Sequence, residues 1–274
     1  VDAFCLHFVQ QHFAMLDVPP DFETADEADL ARIEQETLAA TLETAYQDPD
    51  FRAFADLYDR GRTDNTAGDA ILDLYHFTRA LPHPAASLAA FAAMWQQDAP
   101  PKDTLWGKKL LGIALARAQG AKTLLESGAA IAARDEAADR AYTAVMQDDA
   151  ARVKNLCYYL KEGDWDKSLA ALDAVLTGWR RAGSVKGGKD ANQCASAASQ
   201  LRDRAKDQMT SLQKDVLLCT AEEFAADRRR AAPLVAALVR ATQAFADSCF
   251  AAKCAEKVLD YADYELSLIH ISEP

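Results

Sequence analysis

A chain of 274 residues, half of them hydrophobic, can bury one large core or two small ones. Its aromatic share is only 8% and alanine is abundant, a balance that favours helices over strands. The net charge of −12 is unevenly placed: residues 1–100 hold 18 acidic and 5 basic side chains, residues 101–274 hold 24 and 25, so a nucleic-acid contact is excluded from most of the first part and belongs to the second part or to the extreme N-terminus.

The opening stretch carries two apolar rows at helical spacing, Phe4, Phe8, Met15 and Leu16, and Leu6, Val9, Phe13 and Leu16. They predict a helix buried on more than one side, with Phe4 in the core, stopped by Pro19-Pro20. Thr24 with Glu27 reads as a capping box for a second helix, striped by Leu30, Ile33, Thr37, Leu38, Leu42, Ala45 and Tyr46. Asp48-Pro49-Asp50 ends it. Short helices follow at Phe51–Tyr58, Ile71–Leu81 and Leu88–Trp95, divided by a polar loop at 62–68, by Pro82-His83-Pro84 and by Pro100-Pro101.

From Asp103 to Lys161 there is no proline, and the pattern predicts two long helices with a break near Asp148-Asp149. Trp165, Leu169, Leu172, Leu176 and Trp179 continue a helical face, and 180–190 is a Gly- and Lys-rich loop. Cys194, Ala198, Leu201, Ala205, Gln208, Leu212 and Asp215 alternate by four and three, which predicts one arm of a long antiparallel helix pair. A last helix runs from Ala221 past Phe250, kinked or split at Pro233. No alternating strand pattern is visible, so the fold class is all-α, a multi-helix bundle with short helices over 1–101 and long ones over 102–265. No apolar run approaches the roughly 18 residues of a membrane span, and no signal peptide is recognised. The six cysteines form no C-x-x-C pair and read as free thiols of a reducing cytosol.

Gly183-Ser184-Val185-Lys186-Gly187-Gly188-Lys189-Asp190 nearly matches a phosphate-binding loop, but Asp190 stands where a hydroxyl should reach magnesium and no buried strand precedes it. A basic connector is the better reading. Arg180, Arg181, Lys186 and Lys189 lie within ten residues, and glycine lets the backbone approach a phosphate closely, which makes this loop the nucleic-acid candidate of the second part. For metals, His7 and His12 diverge by about 140° around a helix. Asp73-x-x-His76 has one-turn spacing but no second copy, where a di-iron bundle needs two. No catalytic centre emerges from the residues.

"DAFCLHFVQQHF" with "VPPDFETADEADL", then "GWRRAGSVKGGKDANQ" and "QLRDRAKDQM", then "VLDYADYE", resemble in matching order segments of the AddA family, the A subunits of ATP-dependent helicase/nucleases, which are UvrD/Rep-like superfamily-one DNA helicases. Asp2 stands where many relatives have His, Tyr261 replaces Phe and Tyr264 replaces Leu. The resemblance implies an internal fragment: a helical insertion subdomain, residues 1–265, of an otherwise α/β RecA-like first motor domain. It implies a cytoplasmic parent that binds ATP and Mg2+, unwinds DNA at broken ends, carries a nuclease and pairs with a B subunit. The nucleotide motifs lie outside this segment. It also places Asp2 and Phe4 along the single-strand path. The tail Leu266–Pro274, "LSLIHISEP", departs from the resemblance and reads as translated sequencing-adapter sequence that should pack poorly. Two other readings compete, a stand-alone helical interaction scaffold and a helical-bundle enzyme with an unrecognised site.

Overall fold

The computed structural model describes residues 2–13, 16, 18–59, 66–188 and 192–272, with side chains omitted at 2, 3 and 270–272. In chain order the elements are α1 (Asp2–His12), β1 (Glu23–Thr24), α2 (Glu27–Ala45), α3 (Pro49–Tyr58), α4 (Ala67–Arg79), α5 (Pro84–Gln96), a 3-10 turn at Pro101–Asp103, α6 (Leu105–Ala132), α7 (Glu136–Ala138), a π-helical segment at Asp139–Thr143, α8 (Ala144–Glu162), α9 (Trp165–Thr177), α10 (Gln193–Asp215), α11 (Ala221–Glu256), β2 (Val258–Leu259) and α12 (Tyr261–Ser272). The all-α expectation holds, apart from a two-stranded parallel bridge that the sequence reading did not foresee.

The chain forms two compact units, residues 97–227 and the remainder, 1–96 with 228–274. The chain passes between them twice, once just after α5 and once inside α11.

In the 97–227 unit, α6, α8, α9 and α10 share one core. It is built from small residues (Ala114, Ala118, Ala121, Ala195, Ala198, Ala205) interleaved with Leu125, Met146, Leu156, Leu172, Met209 and Leu212, all fully buried. Alanine and glycine let helices approach closely. A Cβ on Gly128 would come within 3.4 Å of Leu201 and run into Met146. The α6–α10 pair is antiparallel: Asn192, which caps the start of α10, donates to Asp135 beyond the end of α6 at 2.7 Å, while Arg117 in α6 pairs with Asp215 at the end of α10 at 3.1 Å. The predicted antiparallel pairing of the Cys194–Asp215 helix is thus observed. The predicted break near Asp148-Asp149 is not. Ala144–Glu162 is continuous, and the interruption lies at 133–143, where α7 gives way to a π turn.

The second unit has two cores. Ile33, Phe51, Ala67, Ile71 and Tyr75 from α2–α4 pack on Ala237, Ala241, Phe245 and Cys249 of α11. Against the expectation that no apolar run approaches a membrane span, α11 contains an 18-residue window of mean hydropathy 1.2, long and apolar enough to cross one by length and composition alone. Pro233 sits inside this helix without splitting it. The other core joins Cys5 and Val9 of α1, Val18 and Phe22 to Leu259 and Tyr264. Above it Glu23 and Thr24 pair in parallel with Val258 and Leu259. The Tyr264 hydroxyl donates to the Leu259 carbonyl at 3.2 Å and meets the Thr24 hydroxyl at 3.1 Å. Thr24 is therefore a strand residue, and the cap of α2 is Asp26, whose carboxylate accepts from the Asp29 amide at 2.8 Å. A capping box does occur at α4, between Thr66 and Asp69.

Two further expectations are corrected. Phe4 is 67% exposed rather than core, because Cys5 and Val9 take the inward face of α1. Residues 266–272 continue α12 instead of packing poorly: Ser267 is buried and Leu268 packs on the Cys5–Tyr264 core.

Candidate nucleic-acid interface

The basic loop begins where α9 ends. Gly178 closes the helix, and a Cβ there would lie 2.7 Å from the Ala174 carbonyl and 2.7 Å from Arg152 Nε, so the turn needs glycine. Trp179 then packs against the core, its ring 5.4 Å from the guanidinium carbon of Arg202 in α10. Arg202 donates through Nε to Asp149 at 2.8 Å and through Nη2 to the Arg180 carbonyl at 2.7 Å. Asp149 is fully buried and also accepts from Arg152 on its own helix. One carboxylate therefore serves two guanidiniums, which leaves a formal positive charge at the base of a basic loop.

Further along, the Gly183 amide donates to the Ala141 carbonyl of the π segment at 3.0 Å, while Ala182 and Val185 pack on the core. The Gly188 amide donates to the Val185 carbonyl at 2.9 Å, and Gly187 and Gly188 take positive φ of 82° and 86°. Arg180, Arg181 and Lys186 are all exposed on this held backbone. Lys189 lies outside the described residues. Three of the four predicted basic residues are thus exposed on one loop, whose backbone is held by contacts that the spacing of charges could not reveal. The signals available were Trp179 and Arg202, neither of which is a motif.

The described part of the loop lacks the features of a phosphate cradle, while Lys189 and Asp190 lie outside the described residues. Two of its amides already donate to protein carbonyls, and the element before it is a helix where a phosphate-binding loop follows a strand. Among the described residues no group of His, Cys, Asp and Glu converges on a metal position. His76 instead approaches Glu34 at 3.5 Å.

In the other unit, Phe4, Phe8 and His12 stack along α1, with ring centroids 6.2 and 4.4 Å apart in succession. This half-exposed ladder is where the Phe4 expectation lands; the side chain of Asp2 lies outside the description. The "LDYADYE" segment holds an arrangement the sequence reading missed. Asp260 and Asp263 cap α12 reciprocally, each accepting the other's amide at 2.9 and 3.0 Å. Both carboxylates then bind Arg79, at 2.5–2.7 Å, and Lys253, at 3.0 and 2.7 Å. Lys253 is 1% exposed. Burial opposes ionisation of Asp260, but Arg79 and Lys253 outweigh it and hold that carboxyl well below the usual range; burial pushes the Asp263 carboxyl up. A buried lysine is stable only when paired in this way. A cavity of about 530 Å³ beside the network is lined by Tyr75, Arg79, Phe250, Asp263, Leu266 and Ser267, among others.

No family model matches the chain. Curated relatives do. The ATP-dependent helicase/nuclease A subunit of Geobacillus kaustophilus is 27% identical over 273 residues, covering 98% of this chain and 22% of that protein. The protein of the same name from Moorella thermoacetica is 28% identical over 272 residues, 97% of this chain and 19% of that protein. For Ruminiclostridium cellulolyticum the figures are 23% over 279 residues, 99% and 22%. The chain spans about a fifth of the length of the curated relatives it matches. Over nearly its whole length, then, it is similar to one stretch of the ATP-dependent helicase/nuclease A subunits.

Proposed function

We propose that this chain is the helical insertion subdomain of the first motor domain of an ATP-dependent helicase/nuclease of the AddA type, and that it supplies DNA-path and subunit contacts rather than chemistry. The observation that carries the reading is the match of 96–99% of the chain to relatives of one name. The β1–β2 bridge supports it physically. An insertion must leave its host and return beside the point of departure, and Glu23–Thr24 lies in parallel register with Val258–Leu259. Two-residue strands are too short to stand alone as a sheet, and they suit the root of an insert on a larger α/β core.

On this reading the whole protein binds ATP and Mg2+ in motifs outside residues 1–274, unwinds DNA from broken ends during double-strand-break repair in the cytoplasm, and works with a B subunit. The segment's share is electrostatic. Arg180, Arg181, Lys186 and Lys189 meet phosphates without reading sequence, and the Phe4–Phe8–His12 ladder offers aromatic faces to unstacked bases. The test is to titrate the purified 274-residue chain with a single-strand/duplex junction and, separately, with ATP. Weak, sequence-independent DNA binding with no ATP hydrolysis is expected. An ATPase rate above background that Lys189→Ala abolishes would overturn the assignment.

A further inference from the structure

We infer that Arg202 is the positioning residue of the basic loop: a single guanidinium, seated on buried Asp149, holds the Trp179 ring and the Arg180 carbonyl together and so sets where Arg180 and Arg181 present their charges to a phosphodiester backbone. The inference rests on the DNA-contact reading above and assigns a role to a residue that need not touch DNA.

The geometry asks for an arginine. Nε is used by Asp149 at 2.8 Å, Nη2 by the Arg180 carbonyl at 2.7 Å, and the guanidinium lies over the Trp179 ring at 5.4 Å. A planar fork with five donors makes these three contacts at once, whereas a lysine ammonium is a point charge with no flat face. Arg180 follows Trp179 directly, so ring and carbonyl fix two consecutive residues. Three positions later the Gly183 amide is tied to Ala141, leaving Arg181 exposed on a short span held at both ends. Without the clamp a Gly-containing loop would have to be ordered at the moment of binding, which weakens affinity without changing how many phosphates are met. Asp149 also keeps Arg152 as a partner, so replacing Arg202 does not strand a buried carboxylate.

The experiment compares three forms of the 274-residue chain, wild type, Arg202→Lys and the double variant Arg180→Ala/Arg181→Ala, on one single-stranded oligonucleotide between 50 and 200 mM salt. The double variant should flatten the log-log slope by about 1.4, since each phosphate contact on a single strand contributes about 0.7. Arg202→Lys should keep the wild-type slope and melting temperature but bind roughly tenfold more weakly at fixed salt, a loss of pre-organisation. Lysine preserves the charge and the Asp149 pairing, so wild-type affinity in Arg202→Lys would mean that charge alone suffices and would overturn the inference. So would a slope reduced by one contact, which would place Arg202 itself on a phosphate. If Arg202→Lys fails to fold, Arg202→Gln is read by the same two criteria. An unchanged slope in the double variant would instead sink the DNA-contact reading on which the inference stands.

Discussion

Residues 97–227 contain 19 acidic and 19 basic side chains, while the other unit contains 23 and 11, so one unit carries the whole net charge of −12. The two are also held together differently. The neutral unit relies on close helix approach, with alanine and glycine at the contacts and one continuous core. The acidic unit joins segments 181 to 240 residues apart in sequence. It does so with a two-residue strand pair, a core of six buried side chains and the Arg79–Lys253–Asp260–Asp263 network. Packing of small residues holds long neighbouring helices in register without directional bonds, whereas distant chain ends need partners that are specific in geometry. The charge difference bears on the proposed DNA contact: a unit with net charge −12 repels phosphate, while the neutral unit exposes Arg180, Arg181 and Lys186 on one loop.

The largest effect should come from the network. Lys253→Met leaves two buried carboxylates with only Arg79, and breaking a buried ion pair from one side costs about 3–5 kcal/mol. Denaturant unfolding should register that loss, with amide exchange rising first in the acidic unit. A cost under about 1 kcal/mol, the level of an exposed pair, would show that the network is peripheral.

Acid tests the same feature with a definite sign. The Asp260 carboxyl is held below its unfolded value, so its contribution is fully present above about pH 4 and is lost as pH falls through the folded value. Asp260→Asn should therefore be less stable at pH 7 and show a shallower loss below pH 4. Asp263, pushed up by burial, titrates in the opposite sense and would blur the measurement. Parallel acid limbs in wild type and Asp260→Asn would contradict the assignment.

A smaller effect is expected at the C-terminus. Deleting residues 266–274 removes the packing of half-buried Leu268 and the buried Ser267, a loss below the roughly 1.5–3 kcal/mol of fully burying one leucine. The melting temperature should fall by several degrees. An unchanged value would mean that the tail lies on the fold without belonging to it, as its sequence suggested.

Helical periodicity and proline punctuation made most helices of both units legible, including the antiparallel α10. The misses share a cause. Phe4 satisfies the spacing of a buried row, yet a helix surface has room for only one inward face, and Cys5 and Val9 occupy it. Thr24 has the right neighbour for a capping box but is claimed by a strand partner, Leu259, that no local pattern can announce. Asp260 and Asp263 are ordinary acidic residues until Arg79 and Lys253 arrive from elsewhere in the chain. In the basic loop the charges were visible in the sequence and the device that orders them, Arg202 on Asp149, was not, because it depends on the bundle bringing an α10 side chain to a buried carboxylate of α8.

On the proposed function the 180–189 loop meets a nucleic-acid backbone. The most direct measurement is a salt titration of the wild-type chain and of the variant with Arg180, Arg181, Lys186 and Lys189 all replaced by alanine, on the same DNA. The log-log slope should flatten by one to a few contacts, about 0.9 each on duplex, with melting temperature unchanged because Arg180, Arg181 and Lys186 are exposed. Coincident slopes would show the loop to be a solvated connector and would contradict the claim.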